Sequence, residues 1–292
     1  MSSEFVIFLT GCSVALSAVI LGTYLNISRQ SLLGDALSHS LLPGLVLAHL
    51  VTGELNPTAL FFGALIAGLA TGYVIEFIGK RFRVREDIAM GITFTAAFSL
   101  GVLLLVRYAN KSHIDTDCLL FGNLLFVPLE ESFFSFSFLK HIPMTLFQSS
   151  VISLLSVFFY FLLHRPFMNL LFHENSFKLS QLPGNFLKSL FLTLVSLTIV
   201  FGFKAMGALL VFGLFVIPVG IGRIFNKSFL GISTVGFCSA ILSLWIAIRL
   251  SFNYDLSPSA AWISLLFVMF ITVFLVSKIP RRRDRALKEH ST

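Results

Sequence analysis

The sequence predicts an all-α polytopic membrane protein of about nine transmembrane helices, with a range of eight to ten. Three observations predict it. Hydrophobic residues make up 56% of the 292-residue chain and charged residues only 12%, about half the charge of an ordinary soluble domain. Mean hydropathy is +0.91. Apolar runs of about 20 residues, the length that crosses a hydrocarbon core ~30 Å thick, recur from one end of the chain to the other. A disordered chain, a coiled coil and a disulfide-stapled secreted domain are excluded on composition. A membrane β-barrel would show segments of about 10 residues with alternating polarity, and the sequence shows none.

Apolar runs bounded by Pro, Gly and charged residues place the spans in order. The first lies near 5–25, preceded by Glu4 and by no Lys or Arg, which argues against a signal peptide. The second, 36–52, opens after Gly34-Asp35, and the third, 58–79, opens after Pro57 and stops at Lys80-Arg81. The fourth lies between Asp87 and Arg107, at 88–106. Residues 119–127 (L-L-F-G-N-L-L-F-V) are too short to span and predict a re-entrant segment or a buried half-helix. The fifth to ninth spans fall near 142–163, 185–203, 205–222, 229–249 and 258–277. Residues 1–277 thus form one transmembrane domain, and 278–292 form a basic tail.

The net charge of +7 is unevenly spread. The tail holds six Lys/Arg against two acids, and residues 80–87 (K-R-F-R-V-R-E-D) hold four basics against two acids. Such clusters mark cytoplasmic loops. With nine spans, the tail and the 80–87 loop are both expected inside and the N-terminus outside. The loops near Arg29, at 164–184 and at 223–228 then lie inside, and those at 53–57, 107–141 and 250–257 lie outside. Lys204 fits poorly, because the sixth and seventh spans meet there with almost no loop. Nucleic acid is not an expected partner; membrane lipid is. Cys12, Cys118 and Cys238 are scattered and form no CxxC.

Catalytic signatures are missing. The sequence has no G-x-x-x-x-G-K-[ST] and no G-x-S-x-G, and His173-Glu174 is followed by Asn175-Ser176-Phe177 rather than completing H-E-x-x-H. The chain reads as a passage and not as an enzyme.

Ionisable side chains inside spans are costly and therefore candidate functional residues. Asp35 and His39 form the best pair, in L-L-G-D-A-L-S-H-S-L-L-P-G. Four residues apart, they share one helix face. A carboxylate oxygen and an imidazole nitrogen suit Mn²⁺, Fe²⁺ or Zn²⁺. Two ligands suit a transit site, particularly if a two-fold partner supplies a second pair. The competing reading makes Asp35 an N-cap with His39 merely polar in the first turn. Pro43-Gly44 follows at once and predicts a local helix break that frees backbone carbonyls. Glu76 and His49 are weaker candidates. Arg107, His113, Asp115, Asp117, Glu130 and Glu131 fall in or near the long external segment, where they serve either a cation-attracting vestibule or a solvated loop. The 34 Phe are lipid-facing and packing surface.

The stretch from Ser31 to Leu50 (S-L-L-G-D-A-L-S-H-S-L-L-P-G-L-V-L-A-H-L) resembles the signature of the metal-cation permeases of ABC importers, G-D-A-L-S-H-A-x-L-P-G, with only Ser40 departing within its core. Arg29 also fits. Three later stretches match that family in order: R-E-D-I-A-M-G-I-T-F (85–94), L-F-G-N-L-L-F-V (120–127) and M-G-A-L-L-V-F-G-L-F-V-I-P (206–218). Two stretches depart from it. F-H-E-N-S-F-K-L-S-Q-L-P-G (172–184) lacks the family's small residues, although Glu174 could replace its acid, and V-G-I-G-R follows Pro218. The stretch 213–223 also looks like the siderophore, haem and cobalamin permeases, which are the alternative. A secondary metal transporter is a remoter one.

The resemblance implies a type II ABC importer-like permease in a bacterial cell inner membrane, carrying manganese, zinc or iron(II) by alternating access. It implies a second permease copy or paralogue, two cytoplasmic ATPase subunits and an external metal-binding protein. The metal is cargo, and no tightly bound cofactor is expected. Asp35 and His39 are then the metal pathway. The ATPase would couple through 219–230, by Arg223, Phe225 and Lys227, or alternatively through the 164–184 loop with Glu174.

Overall fold

The structure is a computed structural model. It describes residues 3–53, 57–108, 124–125, 127–129, 142–172 and 183–289, with side chains as far as Lys278. Nine α-helices and no strand are present among the described residues. They are α1 (Ser3–Ile27), α2 (Leu33–Thr52), α3 (Pro57–Phe82), α4 (Glu86–Tyr108), α5 (Met144–Phe172), α6 (Gly184–Met206), α7 (Ala208–Phe225), α8 (Phe229–Tyr254) and α9 (Pro258–Glu289). Each corresponds to a predicted span. Eight are long and apolar enough to cross a membrane. The exception is α2, whose Asp35, Ser38, His39, Ser40 and His49 dilute its apolar content.

α1 is the central post, with one side chain after another buried from Val6 to Leu25. It packs against α5, α7 and α8, while α2, α3 and α4 form a second layer joined to the post through α6 and α7. Helices in lipid gain no hydrophobic drive from meeting each other, so close approach through small residues carries the packing. At Gly44 an added Cβ would lie 2.2 Å from the Gly63 carbonyl oxygen, and at Gly63 it would lie 2.5 Å from that of Gly44. α2 and α3 are therefore in backbone contact. Gly222 meets the Ile232 carbonyl and Gly236 the Pro218 carbonyl, which joins α7 to α8 in the same way. The indole Nε1–H of buried Trp262 donates to Ser243 Oγ at 3.0 Å and ties α9 to α8.

Short corners connect several of the described helices. Arg29, Arg83 and Asp255 have φ of 62°, 54° and 51°, so three non-glycine residues sit in the left-handed region at turns. α6 and α7 are joined by Gly207 alone, with φ 82° and ψ 165°, a conformation open essentially to glycine only. A methyl on Gly202 would lie 2.8 Å from Val211, so the two helices fold back on each other at once. Lys204, awkward in the sequence, sits in the last turn of α6, where a cation suits the helix dipole.

Several boundaries differ from expectation. α5 continues nine residues past 163 to Phe172, through Pro166. α7 runs on to Phe225, which leaves only residues 226–228 between it and α8. α9 carries the helix through the basic segment to Glu289. A helix does not end where lipid ends, because its backbone is satisfied in water as well. Of residues 119–127, only Leu124, Leu125 and Val127 are described. Leu124 and Val127 are buried, and Val127–Leu129 makes a single 3-10 turn against α1.

Candidate functional site

α1 ends at Ile27, and the chain reverses over Ser28–Leu32, with the Gln30 amide donating back to the Leu25 carbonyl at 2.8 Å. Gln30 Nε2 then donates to Glu86 Oε2 at 2.7 Å and fixes this corner beside the start of α4. Helix α2 follows. Leu32 at its N-cap offers no side-chain bond, so Asp35 does not cap it. Instead Asp35 lies in the first turn, where its carboxylate faces the positive end of the helix dipole. Its Oδ1 is 3.3 Å from His39 Nε2. The i,i+4 spacing thus brings the two candidate ligands into direct contact.

The pair is half-buried on the side of α2 that faces α4. The His39 ring centroid is 5.2 Å from that of Phe94 and 5.4 Å from that of Phe98. Those rings stand eight and twelve residues beyond Glu86, the start of α4, or about 12 and 18 Å along its axis. His39 is therefore level with the middle of α4, a helix of 23 residues. A Cβ added at Gly34 would lie 3.6–3.7 Å from the Phe215 side chain of α7. Phe215 is ten residues from the end of α7, about 15 Å. The N-terminal end of α2 is drawn inward, deeper than its polar sequence suggests.

Pro43 and Gly44 do not break α2, which is continuous from Leu33 to Thr52. The expected break is corrected by packing. Gly101 of α4 lies against the Pro43 ring, and Gly44 against Gly63, so both residues are clamped inside the helix. Pro43 still lacks the N–H that would reach the His39 carbonyl.

Arg223, Phe225 and Lys227 are exposed at one end of the bundle. The Arg223 guanidinium donates to Asn26 Oδ1 at the end of α1. That end also carries Arg81, Arg83 and Arg85 and the Glu76–Lys80 pair. At the opposite end Glu4 approaches Arg249 at 3.7 Å. Glu174, Cys118, His113, Asp115, Asp117, Glu130 and Glu131 lie outside the described residues. Arg107 is exposed in the last turn of α4, and His49 lies in that of α2. Glu76 lines a cavity of about 330 Å³ with Gln30, Leu33, Lys80, Glu86 and Lys188. Leu33 is about 200° round α2 from Asp35, so this cavity is on the other side of the helix from the pair.

Sequence reasoning missed two partnerships. Phe94 and Phe98 flank His39, and the i,i+4 spacing of two aromatic residues on α4 was the only signal. Buried Tyr24 hydrogen-bonds His164 Nδ1 at 2.8 Å, amid Phe159, Phe167, Phe191 and Phe229 from three other helices. No local pattern marks that cluster.

Among the described residues no group of three or more His, Cys, Asp or Glu could hold a metal ion. Asp35 and His39 are a pair of potential donors 3.3 Å apart. Comparison with known proteins agrees with the resemblance read in the sequence. Residues 5–277 match the family model described as the ABC 3 transport family.

The chain belongs to the ABC 3 transport family.

Among its relatives, a probable iron transport system membrane protein of Haemophilus influenzae is 31% identical, over 93% of this chain and 92% of the relative. The zinc transport system membrane protein TroD of Treponema pallidum is 32% identical, over 90% of this chain and 71% of the relative. The manganese transport system membrane protein MntD of Bacillus subtilis is 28% identical, over 95% and 93%. The solved PsaBC from Streptococcus pneumoniae, in complex with Fab, superimposes with a TM-score of 0.72 at 21% identity, covering 92% of this chain and 89% of that one. This likeness establishes the shared fold of this ABC 3 chain.

Proposed function

We propose that this chain is the membrane permease of an ATP-driven importer of divalent transition-metal cations: manganese, zinc or iron(II). The observation that carries the reading is the Asp35–His39 contact at 3.3 Å, half-buried on the one helix among those described that is too polar to pass as an ordinary span. An ionisable pair there is costly unless it serves a pathway. In the absence of cargo the carboxylate and imidazole satisfy each other. A cation entering between them replaces that contact with two ligand bonds, and movement of α2 against α4 would release it. ATP hydrolysis belongs to separate cytoplasmic ATPase subunits, which dock at the end of α7 through Arg223, Phe225 and Lys227. An external binding protein delivers the metal, and a second permease copy or paralogue completes the passage.

The reading places the chain in a bacterial inner membrane, with the basic end of the bundle and the C-terminus in the cytoplasm. Uptake of manganese, zinc and iron by cells lacking this chain tests it, and loss of uptake of at least one is expected. Unchanged uptake of all three would overturn it. Loss confined to chelated iron would favour the siderophore-type alternative, which the stretch 213–223 resembles. An impermeant thiol reagent applied to intact cells should fail to label Arg83→Cys. Efficient labelling would invert the orientation.

A further inference from the structure

We infer that Asn26, in the last turn of α1, is a positioning residue that carries motion of the α7–α8 docking corner to the helix holding Asp35 and His39. The inference rests on the permease reading and on ATPase docking at the end of α7. It goes further by naming the link between that corner and the metal pair.

The docking corner and the end of α1 are held together as one body. Only residues 226–228 separate α7 from α8, and a Cβ on Gly222 would strike the Ile232 carbonyl, so the two helices meet backbone to backbone. The start of α8 then grips α1. The Phe229 ring centroid is 4.4 Å from that of Tyr24. One turn further on, the Ser233 hydroxyl donates to Thr23 Oγ1 at 3.1 Å. α7 meets α1 just as closely, since a Cβ on Gly22 would strike the Phe215 carbonyl. Asn26 stands two residues beyond Tyr24, about 200° round the helix. There its Oδ1 accepts from the Arg223 guanidinium of α7. Gripped on two sides, the end of α1 must follow the docking corner.

The same amide reaches forward. Asn26 Nδ2 donates to Ser31 Oγ at 3.4 Å, across the reversal that leads into α2. Ser31 is four residues before Asp35. The neighbouring Gln30 holds Glu86 at the base of α4, and His39 lies against Phe94 and Phe98 of that helix. Force delivered to Ser31 therefore bears on α2 where it joins α4, and shifts the pair against the rings that flank it. One short side chain has its acceptor on the docking corner and its donor on the approach to the metal helix.

Stability does not call for this arrangement. Asn26 is half-buried and Arg223 is exposed, and a hydrogen bond open to water adds little to folding. Its value is in transmission, because it closes a gap between two segments that the backbone joins only through the left-handed turn at Arg29.

The complete transporter in proteoliposomes tests the inference, with its ATPase subunits and binding protein and with manganese(II), zinc(II) and iron(II) each offered in turn. The readout is metal carried per ATP hydrolysed. Asn26→Leu, similar in size and without either hydrogen bond, should keep the ATPase subunits bound and hydrolysing ATP, while metal carried per ATP falls about fivefold or more. Asn26→Asp accepts from both Arg223 and the Ser31 hydroxyl and should restore most of the ratio. Ser31→Ala breaks only the forward bond. It should lower the ratio by itself and add little to Asn26→Leu, as expected of two residues in one link. A native ratio in Asn26→Leu would overturn the inference, as would equal losses in Asn26→Leu and Asn26→Asp. If Asn26→Leu does not reach the membrane, a native ratio in Ser31→Ala overturns it instead. The readings beneath it fail differently. If Arg223→Ala/Phe225→Ala leaves both ATP turnover and transport unchanged, docking is elsewhere and the link falls with it. If Asp35→Ala carries metal normally, the permease reading falls whatever Asn26 does.

Discussion

α2 and α9 divide the demands of a membrane helix between them. α9 meets the lipid requirement in full, with Phe267, Val268, Ile271, Phe274 and Leu275 exposed in sequence and its anchor to the protein concentrated at Trp262 and Leu266. α2 meets it poorly, with two histidines, an aspartate, two serines and a proline within 20 residues. Yet α2 is held against both α3 and α4, while α9 touches only α7 and α8 extensively. Polarity within a span is tolerated in proportion to the protein that surrounds it. The helix least suited to lipid is therefore where a chemical role should be sought.

The contrast can be broken most sharply at the pair itself. Asp35→Ala or His39→Ala should lower metal uptake by at least 10- to 100-fold, the range expected when a site loses support for its metal, with membrane insertion unchanged. Ile271→Ala on the exposed face of α9 should leave uptake within about twofold, since scattered surface changes are near neutral. Normal uptake by the Asp35→Ala/His39→Ala double variant would remove any special status from α2.

A smaller effect is expected from separating α2 and α3. Gly44→Val must push the Gly63 backbone away, a change of the kind that costs about 1–3 kcal/mol or more. It should lower the temperature at which the purified chain aggregates in detergent. The same substitution at Gly91 should leave that temperature unchanged.

At the end of α7, the double change Arg223→Ala/Phe225→Ala should leave metal binding intact and reduce uptake and ATP turnover together. If it is silent while changes at Glu174–Leu179 uncouple transport, the docking segment is the other loop. The smallest effect belongs to α9. Trp262→Phe removes the indole N–H that is shared between Ser243 Oγ and the Ala240 carbonyl, a loss of about 1 kcal/mol, and should shift thermal stability by a few degrees with transport preserved.

The helices were legible because lipid imposes a length and a composition that no other environment does. α2 was found by punctuation, at Gly34 and Gly53, although its composition falls short. The Asp35–His39 contact was legible because i,i+4 is a local relation. Its depth was not. Hydropathy averages along the chain, whereas Gly34 reaches mid-bundle by lying on Phe215, about 180 residues away. The break expected at Pro43 failed for the same reason: Gly101 and Gly63, which hold α2 together there, belong to other helices. The extra turns of α5, α7 and α9 were invisible because the polar residues that close an apolar run do not close a helix.

The junction at Gly207 has a consequence for how the chain is made. Two spans normally enter a membrane separated by a polar connector, which must itself be carried across the hydrocarbon. α6 and α7 have none: one glycine separates Met206 from Ala208. The only charge near that corner is Lys204, within the last turn of α6. Apart from the Lys204 ammonium, nothing there has to cross as a hydrated segment, so the pair can enter laterally as a single preformed hairpin during synthesis. Neither helix need pause at the far side to await the other. A side chain at Gly207, or a few residues inserted beside it, would turn that one insertion event into two.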